Sequence, residues 1–159
     1  MSQDLLLLRE TWQAAWPGAL EVWSRFTRLS DPIWCTTTEA ARTEGLTGSF
    51  AMIRLNDQAV VINLAEVAQL KLGAYAIEIL AHEIGHHILV PADLGDHARM
   101  LARIRHGLPA LERYAPLVAN LYADLLINDR LQRSAGLRMD EVYQALRSGN
   151  DTTQLWRFY

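Results

Sequence analysis

Two histidines set four residues apart in an otherwise apolar run constrain this chain more than any other feature of its sequence. His82-Glu83-Ile84-Gly85-His86 lies within the stretch Ala74 to Val90, which reads as one helix. Side chains four apart on a helix stand one above the other. Both imidazoles can therefore face one ion while Glu83 reaches a water beside that ion.

The rest of the chain reads as elements around that helix. Gln3 to Leu29 carries Leu8, Trp12 and Ala15, then Leu20, Trp23 and Phe26, at helical spacing and interrupted by Pro17-Gly18, which predicts two short helices or one broken helix. Trp12, Trp16 and Trp23 are core at that spacing. After Asp31-Pro32 the pattern changes. Ile33 to Thr38 reads as a strand, and Ser49 to Leu55 with Gln58 to Leu64 reads as a hairpin about Asn56-Asp57. Ala65 to Leu72 is a short helical entry. Helices then follow over Gly73 to Val90 stopped by Pro91, Asp96 to His106, Pro116 to Ser134 closed by Gly136, and Asp140 to Arg147 closed by Gly149.

The expected fold is α+β and helix-dominant: one domain over 1–159, with a helical segment to residue 30, a small antiparallel sheet over 31–72 beside the His-Glu helix, and a helical remainder bearing the site. With 159 residues, 50% apolar and 21% charged, the chain can bury a sizeable core.

A net charge of −3 without a long run of one sign argues against nucleic acid or a membrane surface as a partner. The cluster Arg99, Arg103, Arg105 and His106 reads as a solvated helix face. Leu5-Leu6-Leu7-Leu8, preceded by Asp4 and closed by Arg9-Glu10, has no basic leader and is too short to span a bilayer. A lone Cys35, read as a small buried residue, fits a reducing compartment, and the expected location is cytoplasmic. It also rules out a thiolate cluster, so any metal must rely on imidazole and carboxylate, a donor set that suits zinc best.

Catalytic zinc takes three protein ligands and keeps a fourth position open, so a third ligand must follow the two histidines. The metzincin spacing fails, because Ala92 stands where its third histidine belongs and Leu89 where its glycine belongs. The candidates are Asp93, Asp96 and His97 near the Pro91 break, then Asp124 and Asp129. Asp124 is the best of them. It sits within Leu121-Tyr122-Ala123-Asp124-Leu125-Leu126-Ile127-Asn128, where a buried carboxylate without a partner would be costly and a metal would remove that cost. Asn128, one turn on, can accept the outward N–H of a liganding histidine. Asp129 points about a hundred degrees away and suits a surface ion pair. His87 faces elsewhere on its helix and reads as a surface or supporting residue. Gly85 costs a helix about 1 kcal/mol against alanine, which signals the close approach of a neighbouring group.

The pair of motifs, Ala81-His82-Glu83-Ile84-Gly85-His86 and Ala123-Asp124-Leu125-Leu126-Ile127-Asn128, resembles the gluzincin type of zinc metallopeptidase. More narrowly it resembles bacterial metallopeptidases found beside von Willebrand factor A domains, whose second motif reads like Ala-Asp-x-x-Ile-Asn. The likeness covers roughly Ser49 to Leu131. It implies a zincin-like domain holding one zinc ion on His82, His86 and Asp124, with Glu83 as general base and a peptide or protein as substrate. It also implies a strand before the helix that pairs with an extended substrate, for which Gln58 to Leu64 is the candidate. Tyr122, Tyr114, His106 and Arg130 are candidates for stabilising the oxyanion. The other expectation is a catalytically silent metal-binding module that serves a protein partner in a larger complex.

Overall fold

The computed structural model describes residues 3–148 of the chain. Its first helical period forms α1, Gln3–Trp23, as one continuous helix with Pro17 inside it. The expected break at Pro17-Gly18 is thereby corrected, and burial explains why. Pro17 and the Gln13 carbonyl that loses its partner both lie at exposed positions. Trp12, Trp16 and Ala19 on the other side are buried, and that burial offsets a proline cost of about 3 kcal/mol.

Strand β1 spans Ile33–Cys35 and is shorter than the β-branched run suggests. Thr37 turns its hydroxyl to the Ala40 N–H at 3.1 Å and starts helix α2, Thr38–Thr43, which the β-branched pattern concealed. The expected hairpin is present as β2, Ala51–Ile53, and β3, Val60–Asn63. Its turn is clamped by Arg54, which bonds Asp57 at 2.8 Å. The sheet runs in the order β1-β3-β2. β3 pairs antiparallel with β2 but parallel with β1, so the sheet is mixed where an antiparallel one was expected. As the central strand, β3 is buried at all four positions, and the edge beside the site belongs to β2.

Helix α3, Leu64–Gln69, leads into α4, Ala76–Ile88, which carries both histidines. Every residue of α4 from Glu78 to Gly85 is buried, because the helix packs against α1, against β2 and against a later helix. Helix α5, Leu94–Gly107, follows the Pro91 turn and has no buried residue. Arg99, Arg103, Arg105 and His106 all lie exposed on it, as a solvated face should. A single 3₁₀ turn, Glu112–Tyr114, leads to α6, Ala115–Ala135, which ends at Gly136 in the left-handed region at φ 66°. α7, Met139–Ser148, packs on α6, while the expected stop at Gly149 falls outside the described residues. The architecture is α+β with helix predominant. Among the described residues no helix is long and apolar enough to cross a membrane.

Candidate metal centre

The facing surfaces of α4 and α6 converge on three side chains. His82 Nε2 lies 3.3 Å and His86 Nε2 3.2 Å from Asp124 Oδ1. The three ligand atoms fall within 4.8 Å of one another. His82 and Asp124 are buried, at 2% and 0% exposure, while His86 opens to the cleft.

The hydrogen bonds behind these groups fix which nitrogen faces inward. His86 Nδ1 lies 3.1 Å from the Val90 carbonyl, which can only accept, so Nδ1 carries the proton and the Nε2 lone pair points at Asp124. His82 Nδ1 lies 2.8 Å from Asn128 Oδ1 in the same sense. The Asn128 amide is turned that way by its Nδ2, which donates to the Tyr143 hydroxyl. Asp124 is itself oriented by Asn120, whose Nδ2 donates to Oδ2 at 3.0 Å. The other oxygen, Oδ1, is buried with no donor directed at it. Two imidazole lone pairs and a carboxylate oxygen therefore converge where only a cation balances them, either a proton or a metal ion. The donor set fits a divalent metal on this ground. The structure thus holds a buried His-His-Asp group able to bind one.

The titration directions describe the same need. Burial pulls the His82 imidazole toward neutrality, but Asp124, with Glu83 and Asn128, more than reverses this and holds its pKa above the ordinary value. Burial likewise pushes Asp124 up, and the two histidines outweigh it to hold the carboxyl below the usual carboxylate range. Glu83 behaves differently. Burial raises its pKa, the Asp124 charge adds to that, and the pull of His82, His86 and a hydrogen bond from the Ile53 backbone does not cancel the rise. A carboxyl that lines the same cleft as both histidines is placed to take and give a proton.

Packing behind α4 explains Gly85. A Cβ built there would stand 2.6 Å from Ile127 Cγ2 and 2.8 Å from the Trp23 ring, so glycine is what lets α1 and α6 close on the site helix. Trp23 also donates its indole N–H to the Ala81 carbonyl at 2.8 Å.

The three ligands open on a cleft of about 300 Å³ between β2, α4, α5 and α6, whose walls include Glu83, Met52, Pro91, His97, Met100 and Asn120. Main-chain bonds from Arg54 to Ala59 and from Asn63 to Phe50 alternate along the hairpin, which leaves the main-chain groups of Ala51 and Ile53 on the outer edge of β2, beside the cleft. Ser49 Oγ already bonds the Ala51 carbonyl at 3.0 Å, and the Ile53 N–H lies on the Glu83 side, where it lowers the carboxyl's pKa slightly. β3, the strand expected to receive a peptide, has no edge to offer.

The other sequence candidates are placed elsewhere. Asp93 caps α5 by accepting from the Asp96 N–H at 2.8 Å, and Asp96 pairs with Arg99 at 3.3 Å. Asp129 forms a surface pair with Arg133 at 2.6 Å. His87 Nδ1 lies 3.3 Å from the Ala92 carbonyl and ties the α4–α5 connection. Tyr114, Tyr122, His106 and Arg130 are exposed and none of them lines the cleft, because their helices turn them outward. Sequence reasoning missed Asn120, although it stands one turn before Asp124 and the spacing that found Asn128 would have found it. Tyr143 and the Ile53 N–H carry no local signal, since they come from other elements.

Comparison with family models, with curated proteins and with solved structures returns no match to this chain.

Proposed function

We propose that this chain is a zinc-dependent metallopeptidase that hydrolyses peptide bonds, with His82, His86 and Asp124 holding the ion and Glu83 as general base. The observation that carries the reading is the Asp124 Oδ1 atom, buried without a donor between two Nε2 atoms, in a cleft that Glu83 also lines. A zinc ion bound there supplies Lewis acidity and lowers the pKa of water toward neutrality.

The chain's own residues do the remaining work. Asn128 and the Val90 carbonyl hold both imidazoles in the tautomer that presents Nε2. Glu83 takes the proton of the attacking water and delivers it to the departing amine, a role its place in the same cleft as the two histidines allows. Met52, Leu55, Pro91, Met100 and Pro116 make the cleft wall apolar and help exclude solvent. The substrate is a peptide or protein segment lying in that cleft.

The deciding experiment is Glu83→Gln, assayed for zinc content by elemental analysis and for casein cleavage. The expected result is retained stoichiometric zinc with turnover reduced about 10²- to 10⁴-fold. Zinc uptake with no cleavage by either protein would make the chain a silent metal-binding module instead. Absence of zinc from the wild type, with the same content in His86→Ala and Asp124→Ala, would reject the site itself.

A further inference from the structure

We propose that His97 is a catalytic residue of this reaction, its ring N–H donating a hydrogen bond to the scissile carbonyl oxygen as negative charge develops there. The inference rests on the peptidase reading above and supplies the donor that Tyr114, Tyr122, His106 and Arg130 are placed too far round the surface to provide. His97 is half-buried and lines the same cleft as His82, Glu83, His86 and Asp124. It lies outside the group of converging ligand atoms. Among the described residues its ring makes no hydrogen bond or ion pair, so its donor is available to a ligand.

The backbone that carries the ring is held from both sides. Its own backbone N–H closes the first turn of α5 on the Asp93 carbonyl at 3.0 Å, and the Asp93 side chain caps that turn at 2.8 Å. The connection leading to it is tied back to α4 by His86 on the Val90 carbonyl at 3.1 Å and by His87 on the Ala92 carbonyl at 3.3 Å. The liganding histidine therefore also anchors the segment that brings His97 to the cleft.

The step balances without any group beyond water. As the water oxygen bonds to the carbonyl carbon, the π pair moves onto the carbonyl oxygen and the water's proton passes to Glu83. Return of that pair breaks the C–N bond, and the amine leaves with the proton from Glu83. The oxygen is anionic only between these events, so a donor facing it favours the transition state over the bound substrate. His97 lends a hydrogen bond and keeps its proton throughout.

The test uses the full chain as wild type, His97→Ala and His97→Asn. Each is measured for zinc affinity against a competing chelator, for calorimetric binding of inorganic phosphate to the zinc-loaded protein, and for casein cleavage. Phosphate serves as a small tetrahedral oxyanion. In His97→Ala the expected results are unaltered zinc affinity and melting temperature, phosphate binding weaker by about tenfold, and kcat lower by about 10²-fold with little change in KM. His97→Asn, which keeps an N–H donor, recovers part of both losses.

Unchanged phosphate binding and cleavage in His97→Ala overturns the inference, as does a fall in zinc affinity in both variants, which would make His97 a ligand. If His97→Ala does not fold, His97→Phe, which keeps a ring but has no N–H donor, decides by the same readings. Failure of the peptidase reading shows already in the wild type, as no zinc or no cleavage, and removes this inference with it. Failure of the inference alone shows only in the variants.

Discussion

The two long walls of the cleft are built on opposite principles. On the α4 side, the residues from Glu78 to Gly85 are buried, and Gly85 admits Trp23 and Ile127 at distances no side chain would tolerate. On the α5 side no residue is buried, and the helix is held by its cap, by two histidine contacts with the connection, and by its neighbours around α6. A metal site needs ligands held to a fraction of an ångström, and dense packing supplies that. On the proposed peptidase reading, the wall that receives a substrate gains from being fixed by fewer contacts, because such segments open at lower free-energy cost.

Hydrogen exchange offers the largest test of this contrast. Amides in the middle of α4 should exchange only through global unfolding and those of α5 through local opening, with protection differing by about 10³-fold or more. Equal protection along both helices would end the comparison. A matched pair of substitutions sharpens it. Gly85→Ala gains helix propensity but must displace Ile127 and Trp23, so a net loss of about 1–3 kcal/mol in urea unfolding is expected, with weaker zinc binding as α6 and Asp124 move. Gly107→Ala on α5 meets nothing within 4 Å and should leave stability within about 0.5 kcal/mol. Trp23→Phe should cost less than Gly85→Ala. It leaves the Ala81 carbonyl without its indole donor, a loss of about 1 kcal/mol by the same unfolding measurement. A stable Gly85→Ala protein with full zinc affinity would show the α4 wall to be less tightly determined than its contacts imply.

The same contrast governs what could be read from the sequence. The α4 site was legible because its chemistry and its period coincide: His82, Glu83 and His86 need one helix, and Asp124 stood out as an acid among apolar residues. The strand hairpin was legible from its turn residues. What failed were features decided by which side of an element faces solvent. Pro17 reads as a breaker until its exposed position is known, and Tyr122 reads as a site residue until α6 turns it outward. The parallel β1–β3 pairing depends on α2, whose Thr37 cap lay hidden in a run of three threonines. His97 was visible as a histidine near the site, but its place in the cleft wall is set by the contacts of the α4–α5 connection with α4.

The finest test is a slope with pH, and it belongs to the α4 wall. The metal-free folded protein holds protons on His82 and Glu83 that the unfolded chain releases at ordinary values, about 6.5 and about 4.3. Stability from each is complete below its unfolded pKa and declines as pH rises through the folded one. Asp124 acts in the opposite sense: its folded pKa is lowered, so its contribution is present above about 3.9 and is lost as pH falls through the folded value. Metal-free protein should therefore be most stable in mildly acidic solution and lose stability toward about pH 8, read as a falling urea midpoint. Asp124→Asn leaves the buried His82 without the partner that raised its pKa, and its share of the slope should reverse sign. Saturating zinc should also reverse the trend, because the ion competes with the His82 proton and binds more tightly as pH rises. A metal-free wild type that gained stability steadily from about pH 5.5 to about pH 8 would mean that His82 and Asp124 do not share a proton across the two helices.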